Sequence, residues 1–277
     1  MKLDLYAKNC YNINMSFIYE PTGMAREYSP YACNIYIGCS HRCKYCYAPH
    51  TIQRSEDGYF GIPSPRKNVL REMEKDLQSK KYDKQILLSF IGDVYCENTD
   101  NSQTTRDALA LLNSYGAPVA VLTKGISKSL RDLDIFKVFG SRIAVGSTLT
   151  FMDEEKSKEW ESGADLPSAR LTALKTLHDN GIHTFASFEP CLDPAESLKL
   201  IKQTLADNSV DHYKVGKVNN YKGMDKGVDW TAYLQEVLSL LRAHKKQIYV
   251  KSGIRALVKG IEYLPEETDP DFYVVRA

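Results

Sequence analysis

Residues 34–49 read NIYIGCSHRCKYCYAP, with cysteines at positions 39, 43 and 46 in a C-x3-C-x2-C spacing. Residues 34–38 are predicted to form a strand, so the cysteines occupy the loop that follows it. Thiolates are soft ligands that suit zinc or an iron–sulfur cluster. A cubane [4Fe–4S] cluster needs four ligands, and this loop supplies three. The fourth iron is then open to a chelating molecule from outside the chain.

A structural zinc site is the alternative, with His41 or His50 completing the ligand set of Cys39, Cys43 and Cys46. Structural zinc sites usually draw paired ligands from two separated segments, and this chain has no second pair of that kind. The spacing therefore favours an iron–sulfur cluster. The other four cysteines lack the close spacing of a second cluster, and the first two are predicted to be structural: Cys10, Cys33, Cys96 and Cys191.

The composition is that of an ordinary globular protein. The 277 residues are 43% hydrophobic and 26% charged, and the formal net charge is +1. This balance argues against nucleic-acid binding by bulk electrostatics, although a local basic patch is compatible with it. An odd number of cysteines, seven, is a poor disulfide framework and fits a reducing compartment. Without an apolar run of about 20 residues or a signal-peptide pattern in residues 1–15, we expect a cytoplasmic protein with no membrane partner.

Short apolar runs alternate with amphipathic stretches along the chain, as in parallel β/α units. Continuous apolar strands are typical of a sheet that is covered on both faces. After residues 34–38, the predicted strands are 85–91, 118–123, 142–149, 183–188, 212–215 and 247–250. The predicted helices are 68–80, 104–115, 129–138, 168–180, 194–206 and 230–243, with Gly181 as a C-cap.

This alternation predicts an α/β fold, a partial parallel β/α barrel of six or seven strands. An open doubly wound sheet is the other architecture that fits. In both, active residues belong at the carboxyl ends of the strands. The predicted organisation is an N-terminal extension (1–30) that packs on the barrel, the barrel itself (31–260) and a C-terminal tail (261–277).

The cysteine motif, C-x3-C-x-aromatic-C, resembles the signature of the radical S-adenosylmethionine (SAM) superfamily. Its flanks resemble the spore photoproduct lyase-like branch, over roughly residues 24–200. These further echoes are Ala25-Arg-Glu-Tyr-Ser-Pro30, Thr123-Lys124 followed by Leu130-Arg-Asp-Leu133, and Glu161-Ser-Gly-Ala164 followed by Arg170-Leu171. The chain has Ser162 where the branch has a proline.

The resemblance implies a barrel of the radical SAM type in which Cys39, Cys43 and Cys46 bind a [4Fe–4S] cluster. SAM would chelate the open iron and yield a 5′-deoxyadenosyl radical, with a flavodoxin or ferredoxin as reductant. The implied substrate is a thymine or other pyrimidine of DNA or of a nucleotide, either modified or isomerised or, alternatively, repaired by photoproduct-lyase chemistry. Two other readings are a non-catalytic metal-binding module that docks nucleic acid and an activase that places a glycyl radical on a partner protein.

The candidates for binding SAM lie in the cysteine loop, at predicted strand ends and on the predicted helix 168–180. Tyr45 matches the aromatic residue that contacts adenine, and Gly92 with Asp93 matches the contact to the amino group. Lys124 matches the lysine that faces the SAM carboxylate in the photoproduct lyase-like branch, and the planar fork of Arg170 suits a carboxylate. The hydroxyl groups of two further residues are candidates for the ribose or the carboxylate: Ser147 and Thr148. Ordinary turns, solvated lysines and surface ion pairs are the structural alternatives for these positions.

At the position of the hydrogen donor the chain differs from the photoproduct lyases. Photoproduct lyases use a cysteine on the strand that matches residues 85–91, but Phe90 or Ile91 stands at that position here. This difference favours base modification over repair. Cys96 or Tyr95 is the predicted replacement, with Cys191 as a third candidate. Glu189, after the strand 183–188, is a predicted hydrogen-bond acceptor. Three lysines lie on or directly after later strands: Lys214, Lys217 and Lys251.

Overall fold

A computed structural model describes residues 16–219, 221 and 227–277, so Cys10 and residues 1–15 of the predicted extension lie outside the described residues. Eight strands form one sheet in sequential order. They are β1 (Ile18–Tyr19), β2 (Tyr31–Cys33), β3 (Ile86–Leu88), β4 (Val119–Thr123), β5 (Ile143–Thr148), β6 (His183–Phe188), β7 (His212–Val215) and β8 (Gln247–Val250). The first pair is antiparallel and all later pairs are parallel. Among the described residues the sheet stays open between β1 and β8, which confirms the predicted partial barrel.

Helices cover the outer side of the sheet at the crossovers between the parallel strands. They are α1 (Ala48–Thr51), α2 (Glu56–Tyr59), α3 (Val69–Ser79), α4 (Gln103–Ser114), α5 (Ile126–Ser129), α6 (Leu133–Phe139), α7 (Glu154–Trp160), α8 (Pro167–Asp179), α9 (Pro194–Ala206), α10 (Trp230–Ala243) and α11 (Ser252–Arg255). Gly181 follows α8 with a φ of 77°, as the predicted C-cap requires. In the part of the chain that the structure describes, no helix is both long enough and apolar enough to cross a bilayer.

The first parallel strand begins three residues earlier than predicted. β2 is Tyr31–Cys33, and residues 34–38 form a connection rather than a strand. The cause is a side chain: Asn34 Oδ1 accepts hydrogen bonds from the amides of Phe90 and Ile91, both at 2.9 Å. Asn34 thus ends the backbone pairing of β2 with β3 and directs the chain into the cysteine loop.

Side chains alternate between two cores along each strand. On the outer side, Val119 and Val121 of β4 pack with the buried leucines of the helices. On the inner side, Ala120 lies in a small cluster with Ala144 and Phe185. Small residues make the interior narrow, and Phe185 fills it. A Cβ atom at Gly146 would lie 2.3 Å from the carbonyl oxygen of Phe185 and 2.6 Å from its ring, so this position of β5 must be glycine.

Gly146→Ala is therefore expected to destabilise the protein by about 1–3 kcal/mol or more, because the added methyl group overpacks a rigid interior. Gly61→Ala is the matched control, since a Cβ atom there has no neighbour within 4 Å, and a change of about 0.5 kcal/mol or less is expected. Urea unfolding followed by circular dichroism measures both. Equal midpoints for the two variants would contradict this account of the interior.

The segment before β2 packs against β8, on the open side of the barrel. Glu27 Oε1 accepts hydrogen bonds from the Tyr249 hydroxyl at 3.0 Å and from the Ser252 amide at 2.8 Å. The C-terminal residues pack at the start of β3, where the Gln85 amide donates to the Val275 carbonyl at 3.0 Å. The described parts of both predicted flanking segments thus contact the barrel, while their exact boundaries stay predictions.

Candidate active site

The cysteine loop crosses the carboxyl end of the barrel directly after β2. Cys39 and Cys43 are 9% and 7% exposed, and Cys46 is half-buried. The Cys39 amide donates to the Tyr59 carbonyl at 3.1 Å, and the Cys46 amide donates to the Cys43 carbonyl at 3.0 Å. Arg42, with a φ of 52°, turns the backbone between the cysteines. The loop is therefore folded by its own hydrogen bonds and by α2.

The three thiols lie in an environment suited to an iron–sulfur cluster. Burial raises the pKa of Cys43 to about 12, although the nearby Lys124 ammonium opposes this. Burial also raises the pKa of Cys46, again against Lys124. Metal ligation would hold these thiols as thiolates, and a cation beside them compensates the negative charge of a thiolate-bound cluster. The donor set and its charges thus fit the group.

The same three thiols do not form a site for a single ion. Within residues 16–219, 221 and 227–277, no three His, Cys, Asp or Glu side chains are placed to hold one metal ion. A cubane cluster does not require such convergence, because each cysteine binds a different iron.

Asp93 lies beside the cysteine loop, and its carboxylate already has several partners. Oδ1 accepts from the Tyr95 amide at 2.9 Å and from the Thr123 hydroxyl at 2.6 Å, and Oδ2 accepts from the Lys124 amide at 2.8 Å. His41 Nε2 is 3.1 Å from Oδ2. Burial alone would raise the pKa of Asp93, but His41 and these donors hold it well below its usual range. Asp93 thus joins the loops that follow β3 and β4.

His41 connects the cysteine loop to two other loops. Its Nδ1 is 2.9 Å from the Gly163 carbonyl, and its Nε2 faces Asp93. The Gly163 amide returns a hydrogen bond of 2.9 Å to the His41 carbonyl. A Cβ atom at Gly163 would lie 2.1 Å from the Ser40 carbonyl oxygen, which explains the glycine. Sequence reasoning considered His41 only as a zinc ligand and missed this contact.

Gly92 allows a close backbone approach, as predicted, but the neighbour that the structure shows is the cysteine loop. Its φ is 97°, and a Cβ atom there would lie 2.6 Å from the Gly38 carbonyl oxygen. Ser147 uses its hydroxyl within the sheet, where it donates to the Thr123 carbonyl at 2.8 Å. Thr148 lies next on β5, and its carbonyl accepts from Arg170 at 2.9 Å. Whether these residues contact SAM stays a prediction.

Glu161 and Arg170 form a fully buried ion pair of 2.6 Å behind Cys43. Glu161 also accepts a hydrogen bond from the Tyr45 hydroxyl. Burial raises the pKa of Glu161, but Arg170 and then Lys124 reverse this, so the overall shift is downward. The Arg170 fork is largely occupied, because Nε donates to the Asp165 carbonyl at 2.8 Å in addition to its other contacts. Arg170 therefore acts first on Glu161 and the backbone.

Lys124 is the candidate carboxylate ligand with the most available donors. Its ammonium makes no hydrogen bond to any of the described residues, and it lies 5.5 Å from the centre of the Tyr45 ring. Burial lowers the pKa of Lys124, but Cys43 and Glu161 raise it overall, so the cation is retained. Lys124 therefore carries a positive charge directly beside the cysteine loop.

Two of the three predicted hydrogen donors, Tyr95 and Cys191, lie in the outer core and not beside the cysteine loop. The Tyr95 hydroxyl donates to the buried Asp132 at 2.8 Å, on the helix side of the sheet. Cys96 lies in the same buried cluster as Cys39. Cys191 is buried in the outer core. Their catalytic roles remain untested predictions, and each side chain already has a structural contact.

Glu189 lies on the other side of the barrel mouth, by which we mean the carboxyl ends of β2 to β8. Its Oε2 accepts from the Tyr28 hydroxyl at 2.7 Å and from the Lys251 ammonium, and Oε1 accepts from Asn219 at 2.6 Å. A Cβ atom at Gly216 would lie 2.9 Å from Glu189 Oε1. The sequence placed Glu189 and Lys251 at strand ends, and the structure brings them together.

The cysteine loop thus leads into a β/α barrel whose mouth gathers charged and aromatic side chains. Comparison with protein families adds that the radical SAM superfamily model matches residues 33–207. The chain belongs to the radical SAM superfamily. Radical SAM proteins use a [4Fe–4S] cluster and SAM, so the predicted cofactors are confirmed.

Radical SAM relatives and neighbours share the sequence and the fold to different extents. An uncharacterised protein of Methanocaldococcus jannaschii is 29% identical over 238 residues, which are 80% of this chain and 88% of that protein. An uncharacterised protein of Acidianus two-tailed virus is 24% identical over 226 residues, covering 74% and 73%. One spore photoproduct lyase variant superposes with a TM-score of 0.62 at 12% identity, covering 84% of this chain and 79% of that one.

Two radical SAM neighbours were solved with SAM bound. A spore photoproduct lyase variant with SAM and dinucleoside spore photoproduct has a TM-score of 0.60 at 12% identity and covers 85% of this chain. SuiB of Streptococcus suis with SAM has a TM-score of 0.59 at 12% identity and covers 84%. The chain spans 66% of that lyase and 53% of SuiB. At this identity the likeness shows the fold.

Proposed function

We propose that the protein cleaves SAM reductively and abstracts a hydrogen atom from a pyrimidine base of DNA or of a nucleotide, leading to base modification or isomerisation. Cys39, Cys43 and Cys46 would bind the cluster. The observation that supports this proposal most directly is a shared location. The three cysteines, the Lys124 ammonium and the Glu189 carboxylate with its partner Lys251 all lie at the carboxyl end of one barrel. Together the bound cofactors supply a carbon-centred 5′-deoxyadenosyl radical, which is their own chemistry.

Lys124 is proposed to bind the carboxylate of SAM. Its ammonium is beside Cys43, retains its charge and makes no hydrogen bond within the described part of the chain. The hydrogen bonds from the Thr123 hydroxyl and the Lys124 amide to Asp93 fix the start of this loop. Asp93 then serves to position Lys124. If Asp93 also binds the amino group of SAM, that group would bind a carboxylate oxygen that already accepts one of these hydrogen bonds.

Tyr45 is proposed to line the adenine pocket. Its hydroxyl is held by Glu161, and its ring packs against an apolar cluster of buried residues. An aromatic ring held in one orientation offers a face or an edge to a flat base at low entropic cost. The buried members of this cluster are Phe151, Leu192 and Val218.

A pyrimidine substrate suits the part of the mouth between the cysteine loop and Glu189. Tyr28 and Phe90 offer aromatic surface there, with ring centroids 6.1 Å apart, and Glu189 with Asn219 offers polar groups. Any nucleic-acid base can stack on such a ring, because every base has a flat π face. A spore photoproduct lyase with the same fold is described with a dinucleoside photoproduct bound. Phe90 or Ile91 in place of a donor cysteine favours modification over photoproduct repair.

The experiment is SAM cleavage by anaerobically reconstituted protein with dithionite, with 5′-deoxyadenosine measured by mass spectrometry. It is run without substrate, with a thymidine nucleotide, with thymine-modified DNA and with irradiated DNA. We expect 5′-deoxyadenosine to form and one thymine-containing substrate to stimulate it. If irradiated DNA stimulates the reaction and its thymines are restored, the reaction is photoproduct repair and not base modification. A colourless, zinc-loaded protein that leaves SAM intact would overturn the proposal in favour of a binding module.

A further inference from the structure

The phenol of Tyr28 lies inside the barrel mouth, in the segment 25–30 that resembles the family but for which no role was predicted from the sequence. Its hydroxyl donates to Glu189 Oε2 at 2.7 Å and lies 3.0 Å from the Ser187 hydroxyl. Ser187 is the residue before the last of β6, so the phenol oxygen lies at the carboxyl end of the barrel. The ring is half-buried and packs with the inner cluster of the barrel rather than with the helices.

Tyr28 also lies next to Phe90, one of the two residues, with Ile91, that match the donor cysteine of the photoproduct lyases. Its ring meets the Phe90 ring edge-on, at 75° between the planes. The Phe90 carbonyl in turn accepts a hydrogen bond of 3.1 Å from the hydroxyl of Tyr47, the residue after Cys46. A short series of direct contacts therefore links the cysteine loop, Phe90 and the Tyr28 phenol.

We propose that Tyr28 is the hydrogen-atom donor that ends the reaction by returning hydrogen to the carbon radical left on the substrate. The inference rests on the proposed function. Tyr28 shares the mouth with the cysteine loop, whereas the hydroxyl of Tyr95 and the thiol of Cys191 are buried on the helix side of the sheet. The donor is thus carried by the segment before β2 and not by β3.

The step balances in atoms and electrons. The O–H bond of Tyr28 breaks homolytically while a C–H bond forms on the substrate, which leaves a neutral phenoxyl radical. One electron from a reductant of the flavodoxin or ferredoxin class and one proton restore the phenol. Glu189 is hydrogen-bonded to the phenol oxygen and would pass on that proton from water.

The surroundings of Tyr28 keep it ready for this step. Burial and the neighbouring Glu189 raise the pKa of Tyr28 well above its ordinary value, so the phenol keeps its hydrogen at neutral pH. A phenol O–H bond is weaker than the C–H bond of an alkyl group, because the phenoxyl radical is delocalised over the ring. Transfer from Tyr28 to an alkyl radical is therefore downhill.

The test needs SAM alone, with the 5′-deoxyadenosyl radical standing in for the substrate radical. Reconstituted protein in D2O is reduced with dithionite, and the deuterium content of 5′-deoxyadenosine is measured by mass spectrometry. We expect one deuterium atom per product molecule with the wild type, since the phenol hydrogen exchanges with solvent. Tyr28→Phe should return the label to natural abundance while 5′-deoxyadenosine still forms.

Tyr213→Phe is the matched control, because this buried tyrosine stacks on Phe188 and donates to Thr204 on the helix side of the sheet. It should leave the label unchanged. Phenoxyl signals in electron paramagnetic resonance, narrowed by ring-deuterated tyrosine and absent from Tyr28→Phe, give a second readout. Deuterium that persists in Tyr28→Phe, or is missing from the wild type, overturns the assignment. Failure of the wild type to form 5′-deoxyadenosine would instead overturn the proposed function on which it rests.

Discussion

Cys43→Ala is expected to abolish the iron–sulfur chromophore and the formation of 5′-deoxyadenosine together. Cys43 is a buried member of a three-cysteine set, and the described structure offers no set of three ligating side chains that could hold an ion instead. Even changes beyond the direct ligands commonly cost 10–100-fold in metal affinity. Loss of a ligand should therefore lower SAM cleavage by more than about a hundredfold. Iron and sulfide analysis, visible absorbance and product mass spectrometry measure the effect.

Cys191→Ala is the control for Cys43→Ala. Both cysteines are buried, and burial raises the pKa of each to about 12. Cys191 lies in the outer core, away from the cysteine loop, so its loss should leave a small cavity and an intact cluster. Full iron content and SAM cleavage in Cys43→Ala would falsify the ligand assignment.

The later half of the barrel was predictable to the residue. The observed bounds of β6, β7 and β8 and of helices α9 and α10 are those predicted from the sequence. These elements have regular apolar periodicity, and Pro194 and Asp229 mark where two of the helices start. Local chemistry and tertiary packing agree there, so the sequence pattern is sufficient.

The entrance to the cysteine loop was less predictable, for physical reasons. The apolar run Ile35-Tyr36-Ile37 reads as a strand, but Asn34 bonds to the β3 loop and redirects the chain. The short strand β1 and the four-residue helices are too brief for a periodic signal. The residues next to Asn34 in the sequence do not indicate that its side chain bonds to a loop more than fifty residues away.

The candidate site shows the same difference between features that the local sequence predicts and contacts between distant segments. The cysteine motif identified itself by spacing alone, and strand ends located Lys124 and Glu189. The hydrogen-bond partners of these residues could not be predicted from the sequence. The donors to Asp93, for example, come from three separate segments. Tyr28 lies within Ala25–Pro30, a segment that resembles the family. The resemblance marked the segment but assigned no role to Tyr28.

Arg170→Met is expected to destabilise the protein by about 3–5 kcal/mol, because it leaves the Glu161 carboxylate buried without its cation. Arg170 and Glu161 are 1% and 2% exposed and 2.6 Å apart. Lys158→Met is the control, since it removes an exposed ion pair with Glu155 at 2.7 Å, and exposed pairs contribute about 0–1 kcal/mol. Anaerobic urea unfolding measures both, and similar losses in the two variants would refute the argument.

The pH dependence separates loss of charge compensation from loss of packing. In the wild type Arg170 contributes to holding the pKa of Glu161 below its usual value. That stabilisation is present above the unfolded-state pKa and is lost as the pH falls through the folded-state pKa. In Arg170→Met the carboxyl pKa rises, so the carboxyl group becomes neutral at higher pH. The stability gap between wild type and variant should therefore narrow on acidification, and adding Glu161→Gln should recover part of it at pH 7. A gap that is constant with pH would assign the loss to packing instead.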